Sequence, residues 1–435
     1  MSNSESRRVV ITGMGLVSPL GNTPAELGES LRQGRSGIGP LTSVPEGSLP
    51  IRHAAEAKGF TGAIGDFGPL AKETQRAIRK GQKLMCREIE MGVAAAQLAL
   101  HDSAMAVDQR DPERTGVIYG CDYIMTLPEE FTVGISRCLD EAGNFDFSKW
   151  AELGLPQVNP LWLLKYLPNM PASHIAIYND LRGPNNSLTV REASACVAIA
   201  EAKSTISRGH ADALVVGATG SRVLAFRALH ASMQEQLAAD RDDATTMARP
   251  FAADRDGAVL GEGAAALILE SWEHAQGRGA NILAEVVGAG SSCVGSGQTN
   301  YQRTAVANAL KATLKQSGES HPVGHIHAHG VGTVASDAGE AQAIAEVFGK
   351  PGDAPPVVAA KSYFGNLGAG GGMVEIIASL LSMSAGTMFE TLNCAQPAED
   401  CPIRLADQST PAGDSFLSVN LTPQGQAACV HIAKA

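Results

Sequence analysis

The sequence predicts an α/β fold made of two halves with a similar layout, on three observations. Short β-branched runs bounded by glycine alternate with segments whose apolar residues return with helical period. The same alternation starts again after about residue 275. The 435-residue composition also fits: 44% hydrophobic and 18% charged residues, 47 glycines for tight turns and close backbone contacts, and only 5% aromatics.

The first half opens with the run 9–12, Val-Val-Ile-Thr, which reads as a buried strand. A helix is expected over 88–100 and a strand at 115–119. The segment 121–180 departs from this rhythm. It is rich in aromatics and prolines, carries Trp150 and Trp162, and reads as an excursion that caps a site or forms a subunit contact. A helix over 196–207 and strands at 213–216 and 265–269 complete the half. The second half repeats the pattern with a strand at 282–287, a helix at 305–314, and strands at 325–328, 357–360 and 416–421. Such alternation calls for mixed sheets with helices on their faces. The two units are drawn as 1–275 and 276–435.

Charge and targeting signals narrow the function classes. With 34 basic and 45 acidic residues the formal charge is -11, a field that repels a phosphate backbone, so nucleic-acid binding is excluded as an expectation. The start, Met1 to Arg8, is followed by no apolar export segment, and no stretch of some eighteen apolar residues is read as a membrane span. Eight cysteines are scattered without a CxxC pair, which suits reduced thiols in a cytoplasm rather than a disulfide frame or zinc knuckle.

Gly13-Met14-Gly15-Leu16-Val17-Ser18 follows the first strand and invites a dinucleotide reading. A serine replaces the third glycine, and the stretch from Pro19 to Thr23 interrupts the helix that would aim at a pyrophosphate, so no such cofactor is expected. The same block has another use. Arg8-Val9-Val10-Ile11-Thr12-Gly13-Met14-Gly15 with Ser18-Pro19-Leu20-Gly21 is the first of a series. It continues with Leu181-Arg182-Gly183-Pro184-Asn185, Arg249-Pro250-Phe251, Asp254-Arg255-Asp256-Gly257 and Gly261-Glu262-Gly263. Ala328-His329-Gly330, Lys361-Ser362, Gly365 and Val374-Glu375 complete it. In order and spacing the chain resembles the β-ketoacyl synthases, the decarboxylating condensing enzymes of fatty-acid and polyketide assembly. The resemblance implies a duplicated thiolase-like fold with an α-β-α-β-α layered core, and a dimer whose acyl tunnel lies near the subunit interface.

That chemistry needs a thiolate to hold the acyl chain and two imidazoles to stabilise the enolate left when a malonyl unit loses carbon dioxide. In the family the nucleophilic cysteine comes nine residues after the glycine of the Gly-Pro pair, which from Gly183 gives Glu192. Counting back seventeen residues from Gly209 of Gly209-His210-Ala211-Asp212 gives position 192 again. Cys196, the one nearby thiol, would sit one helical turn inside the next element and reads as a small buried residue. Glu192 would lie at a helix amino end, whose N–H groups and dipole favour a carboxylate.

The first family histidine maps onto His329. The second is replaced: Lys361-Ser362-Tyr363-Phe364-Gly365-Asn366 puts Asn366 in its place, and an amide N–H can share the enolate-stabilising task. The closing Gly-Phe-Gly-Gly loop is also missing. Pro423, in Leu421-Thr422-Pro423-Gln424-Gly425, stands near the gating phenylalanine and has no N–H for an oxyanion hole. Thr333 matches one of two pantetheine-contacting threonines, whereas Val331 replaces the other. Lys361 and Glu375 match a buried ion pair that supports the site or the scaffold. His325, His327 and His329 alternate along a strand and suggest a metal, but no fourth ligand is named, so no metal is expected.

A basic run of Lys72, Arg76, Arg79, Lys80, Lys83 and Arg87 stands out on an acidic chain, where the family docks its acidic carrier protein. The expected protein is thus a ketosynthase-like, chain-length-factor-like subunit of a type II system. It binds no cofactor of its own and works on the phosphopantetheine arm of an acyl carrier protein, as a homodimer or beside a cysteine-bearing ketosynthase. Two catalytic alternatives stand beside this: malonyl-carrier decarboxylation by His329 and Asn366, and cysteine-independent condensation with Glu192 as base.

Overall fold

A computed structural model describes residues 7–435. Residues 1–6, on which the reading of the start partly rests, lie outside the described residues. The first half holds β1 (Val9–Val17), α1 (Pro24–Arg32), a small ribbon of β2 (Gly39–Pro40) and β3 (His53–Ala54), α2 (Lys72–Gly81), α3 (Arg87–Asp102), and β4 (Thr115–Cys121). It continues with α4 (Glu129–Arg137), α5 (Met170–Asn179), β5 (Asn185–Leu188), α6 (Ser194–Ser207), β6 (Ala213–Ser221), α7 (Ala225–Gln234) and β7 (Glu262–Ser271). The remainder holds α8 (Trp272–Gly277), β8 (Ala284–Cys293), α9 (Tyr301–Ser317), β9 (His325–His327), α10 (Val334–Phe348) and β10 (Val357–Val358). The chain closes with α11 (Lys361–Phe364), α12 (Gly371–Ala385), β11 (Ser415–Leu421) and β12 (Gln426–Ala433).

The ten long-range strands run in the order β10-β9-β11-β12-β8-β1-β7-β6-β4-β5. Read outward from its centre, this is one five-strand arrangement used twice. β4 pairs parallel with β5 and β6, and β7 antiparallel with β6 and β1. β9 likewise pairs parallel with β10 and β11, and β12 antiparallel with β11 and β8. The halves join through a short antiparallel contact in which Val10 faces Glu285 and Ile11 faces Ala284.

Helices cover both sheet faces, as parallel strands buried on both sides require. α3 packs on β1, β6 and β7, whereas α9, with α10 beside it, covers β8 and β12. Between the two sheets lie α6, which touches β4 and β6 on one side and β8 and β12 on the other, and α12 beside it. The result is the five-layered thiolase-like core. Gly13 and Gly15 lie inside β1: a Cβ on Gly15 would stand 2.4 Å from the carbonyl of Ala95 and one on Gly13 2.6 Å from that of Ala99. They are glycines because the backbone of α3 lies directly on the strand, not because they form a phosphate turn. One segment, Gly368–Ala385, is long and apolar enough to cross a membrane, with a mean hydropathy of 1.2. It is 83% buried within the protein, because α12 fills the middle layer and meets apolar neighbours all round.

Candidate functional site

Parallel strands leave a crevice outside their carboxyl ends, and loops from both halves meet there. β5 leads through Val190 into a tight turn over Arg191–Ala193, with Arg191 in the left-handed region (φ +51). The Val190 N–H donates to Ser194 Oγ at 3.1 Å, fixing the turn at the start of α6. The turn directs Glu192 inward, where it is 2% exposed.

Glu192 is held by guanidiniums. Its Oε1 accepts from Arg222 Nη1 at 2.9 Å and from Asn366 Nδ2 at 3.2 Å, and Arg191 Nε lies 3.4 Å from Oε2. Burial pushes this carboxyl upward, but Arg191 and Arg222 outweigh it and hold the group at about 2. This corrects the expected cause of its ionisation, which is the two arginines rather than the helix amino end. Both arginines also bind Glu235: Arg191 Nη2 at 2.6 Å, and Arg222 through its other amino nitrogen. Arg191, Arg222 and Glu235 were not singled out from the sequence. The available signal was an arginine, Arg222, directly after the fully buried strand β6.

His329 comes from the end of β9, on a loop that glycines make possible, since Gly332 has φ +88. The loop is pinned from behind: the N–H groups of His329 and Gly330 donate to Glu340 at 2.6 and 2.8 Å, and those of Val331 and Gly332 to Asp337 at 3.0 and 3.1 Å. Lys361 Nζ donates to the His329 carbonyl at 2.8 Å and to its Nδ1 at 3.3 Å, and pairs with Glu375. Ammonium has only donors, so Nδ1 accepts and Nε2 carries the imidazole proton. Burial, with Lys361 adding to it, keeps the ring neutral well below its ordinary value. Asn366 is oriented as firmly: its Oδ1 accepts from the Gly368 N–H at 3.0 Å, which turns Nδ2 toward Glu192.

Cys196 lies in the first turn of α6 and faces β11, its thiol 3.0 Å from Asn420 Oδ1 and 3.5 Å from the Ser418 carbonyl. Burial raises that thiol well above its usual range. Asn420 also donates to Glu375 at 3.1 Å, so Lys361, Glu375, Asn420 and Cys196 form one chain of contacts beneath the imidazole. The alternating histidines part company. His325 and His327 both bond Ser379 Oγ, at 3.1 and 2.8 Å, whereas His329 lies at the crevice.

A cavity of about 190 Å³ opens over these groups, lined by Glu192, His329, Asn366, Thr333, Val331 and Pro423 among others. Thr333 precedes α10 without capping it and lines the cavity. Away from the site, Lys72, Arg76, Arg79, Lys80 and Lys83 are exposed along α2 and the turn after it. Arg87 is a correction to that set. It is drawn inward onto the buried Glu262 at 2.7 Å and the carbonyls of Phe60 and Ala57, because α3 begins where that carboxylate needs a partner.

Comparison with known proteins agrees with this architecture. The family model described as "Beta-ketoacyl synthase, N-terminal domain" matches residues 6–275, and "Beta-ketoacyl synthase, C-terminal domain" matches residues 283–395. A 3-oxoacyl-(acyl-carrier-protein) synthase 2 of Synechocystis sp. is 30% identical over 411 residues, covering 93% of this chain and 92% of that one. Among solved structures, the ishigamide ketosynthase/chain length factor has a TM-score of 0.80 at 26% identity, over 99% of this chain and 100% of the other. A type II polyketide acyl-carrier protein in complex with its ketosynthase (AntDE:AntF) has a TM-score of 0.81 at 21% identity over the same shares, a likeness of fold. With both domains of one family matched in order along most of its length, the chain belongs to the β-ketoacyl synthases.

Proposed function

We propose that this protein is a ketosynthase-like subunit of a type II fatty-acid or polyketide system that forms no acyl-cysteine. Glu192 stands where the family carries its nucleophile, and the subunit serves as a chain-length-factor-like partner for carrier-bound chains. One observation carries this: the side chain facing His329 and Asn366 is an ionised carboxylate clamped by Arg191 and Arg222, while the nearest thiol, Cys196, points to β11. A carboxylate attacking a thioester would give an anhydride, too labile to hold a growing chain. Pro423 at the cavity supports the same reading, since it has no N–H to give an oxyanion. The carrier's arm would pass Thr333, and the exposed cations of α2 would receive the acidic carrier protein. We place the protein in the cytoplasm, as a dimer with itself or with a cysteine-bearing ketosynthase, its halves dividing near residue 275. Co-expression with such a ketosynthase tests the assignment. Condensation from acyl- and malonyl-carrier should require the partner's cysteine, and condensation by this chain alone would refute it.

A second reading has its own support. The neutral imidazole of His329, with its proton on Nε2, and the free amide hydrogen of Asn366 are two donors of the kind that stabilise a malonyl-derived enolate. Against it, one unit charge 4 Å from another at an effective dielectric of 20 meets about 4 kcal/mol of repulsion, which Glu192 would impose on a malonate carboxylate. The flanking guanidiniums reduce that objection. Carbon dioxide release from malonyl-carrier that disappears in His329→Ala would favour decarboxylation, and its absence in the parent would dismiss it. The third alternative, Glu192 as general base, is weakened by the low value at which the arginines hold it, since a base with a conjugate acid near 2 abstracts protons poorly at neutrality.

A further inference from the structure

We propose that the inner wall of the cavity over Glu192 is closed by a buried ionic cluster, so that the site takes only a short acyl unit on a pantetheine arm. A long apolar chain would have to lie elsewhere, outside this subunit's core. The inference rests on the carrier-arm reading above and adds the substrate class.

From Glu192 inward, the next group is the guanidinium of Arg222, which has no exposed surface. Beyond it, Arg227 Nη2 bonds Asp122 Oδ2 at 2.7 Å, with Arg227 2% exposed and Asp122 fully buried. The Arg227 guanidinium lies 3.9 Å over the ring of Tyr123, whose hydroxyl bonds His230. On the other flank Arg191 and Arg222 share Glu235. The loop bearing Asn366 shuts down on the same cluster: a Cβ on Gly368 would meet Asp122 Oδ2 at 2.8 Å and the Arg222 stem at 3.4 Å.

Three guanidiniums thus face three carboxylates, Glu192, Glu235 and Asp122, and need no ligand for charge balance. An alkyl chain entering here would separate buried ions from their partners, and loss of one partner from such a pair is severely unfavourable. The walls in front are mixed, with Val331, Leu421 and Pro423 beside polar side chains. Gln234, Gln236, Thr333 and Ser336 offer hydrogen bonds to the amides of a pantetheine arm, and the apolar residues between them suit its methylenes.

Calorimetric titration of the full-length protein with unreactive pantetheine amides of acetate, malonate, octanoate and dodecanoate tests this. The longer amides should bind no tighter than the acetyl amide. An affinity rising by about fourfold per methylene through dodecanoate, as burial of a chain gives, would overturn the closed inner wall. A charge-balanced double variant, Glu192→Gln with Arg222→Met, leaves Arg191 with Glu235 and Arg227 with Asp122. Folded by circular dichroism, it should acquire the chain-length dependence, and a flat series in that folded variant would also overturn the proposal. Bare pantetheine, titrated alongside, reads the carrier-arm premise separately: its failure to bind refutes that premise.

Discussion

Glu192 is the residue whose charge the surrounding structure has been built to hold. In the unfolded chain it titrates near its ordinary 4.5, and in the fold at about 2. The ionised form is thus favoured by the native state, so the contribution is present in full above about pH 5 and is lost as pH falls through the folded value. A shift of this size corresponds to about 3 kcal/mol. Glu192→Gln should therefore lower the unfolding free energy in urea by about that amount at neutral pH, and the gap from the parent should narrow on acidification from pH ~5 toward ~3. A variant as stable as the parent at neutral pH would show that the arginines do not depend on it. For the neutral imidazole the expectation concerns rate: any carbon dioxide release should show no fall as pH drops through 6.5, the ordinary histidine value. Two motif distances single out position 192, and the structure places Glu192 buried at the cavity. Its guanidinium partner Arg222 was not legible in the sequence, because that contact joins the ends of two strands brought together only by the fold.

At the scale of elements, two glycines and one helix make distinct demands. Gly15 lies so close to α3 that any side chain meets backbone atoms, the carbonyl of Ala95 and the N–H of Ala99, both at 2.4 Å. Gly15→Val should destabilise by about 2 kcal/mol or more in thermal or chemical unfolding, since neither backbone can give way locally. The basic run divides in two. Arg76→Glu with Arg79→Glu, both exposed, should weaken binding of an acidic carrier in a salt-dependent manner and leave the melting temperature nearly unchanged. Arg87→Ala should do the reverse, lowering stability by about 3 kcal/mol because Glu262 is left buried and unpaired. The strands read at 115–119, 213–216, 265–269 and 416–421 all lie within observed ones, since unbroken apolar runs bounded by turn residues are strongly marked. β5 and β12 escaped notice. β5 is a short polar strand at the sheet edge, and β12 breaks up Val430 and Ile432 with alanine, cysteine and histidine, so the β-branched signal is absent from one and diluted in the other.

For the whole molecule, the duplicated sheet follows from the restart of the strand and helix pattern, and the departure at 121–180 from its interruption. That excursion carries much of the exposed apolar surface: Phe147 is 76% exposed, Ile177 71% and Leu155 55%. α7 adds Met233, at 76%. Exposed apolar residues of this kind would suit the subunit contact of the dimer proposed above. Leu155→Asp with Ile177→Asp should shift sedimentation toward the monomer, whereas an unchanged dimer mass would place the interface elsewhere. The function proposed above turns on a carboxylate, not sulfur, meeting the thioester. Intact-protein mass spectrometry after incubation with acyl-carrier protein, followed by peptide mapping, addresses that point most directly. An unchanged mass is expected; a gain of one acyl group mapped to Cys196 would contradict it.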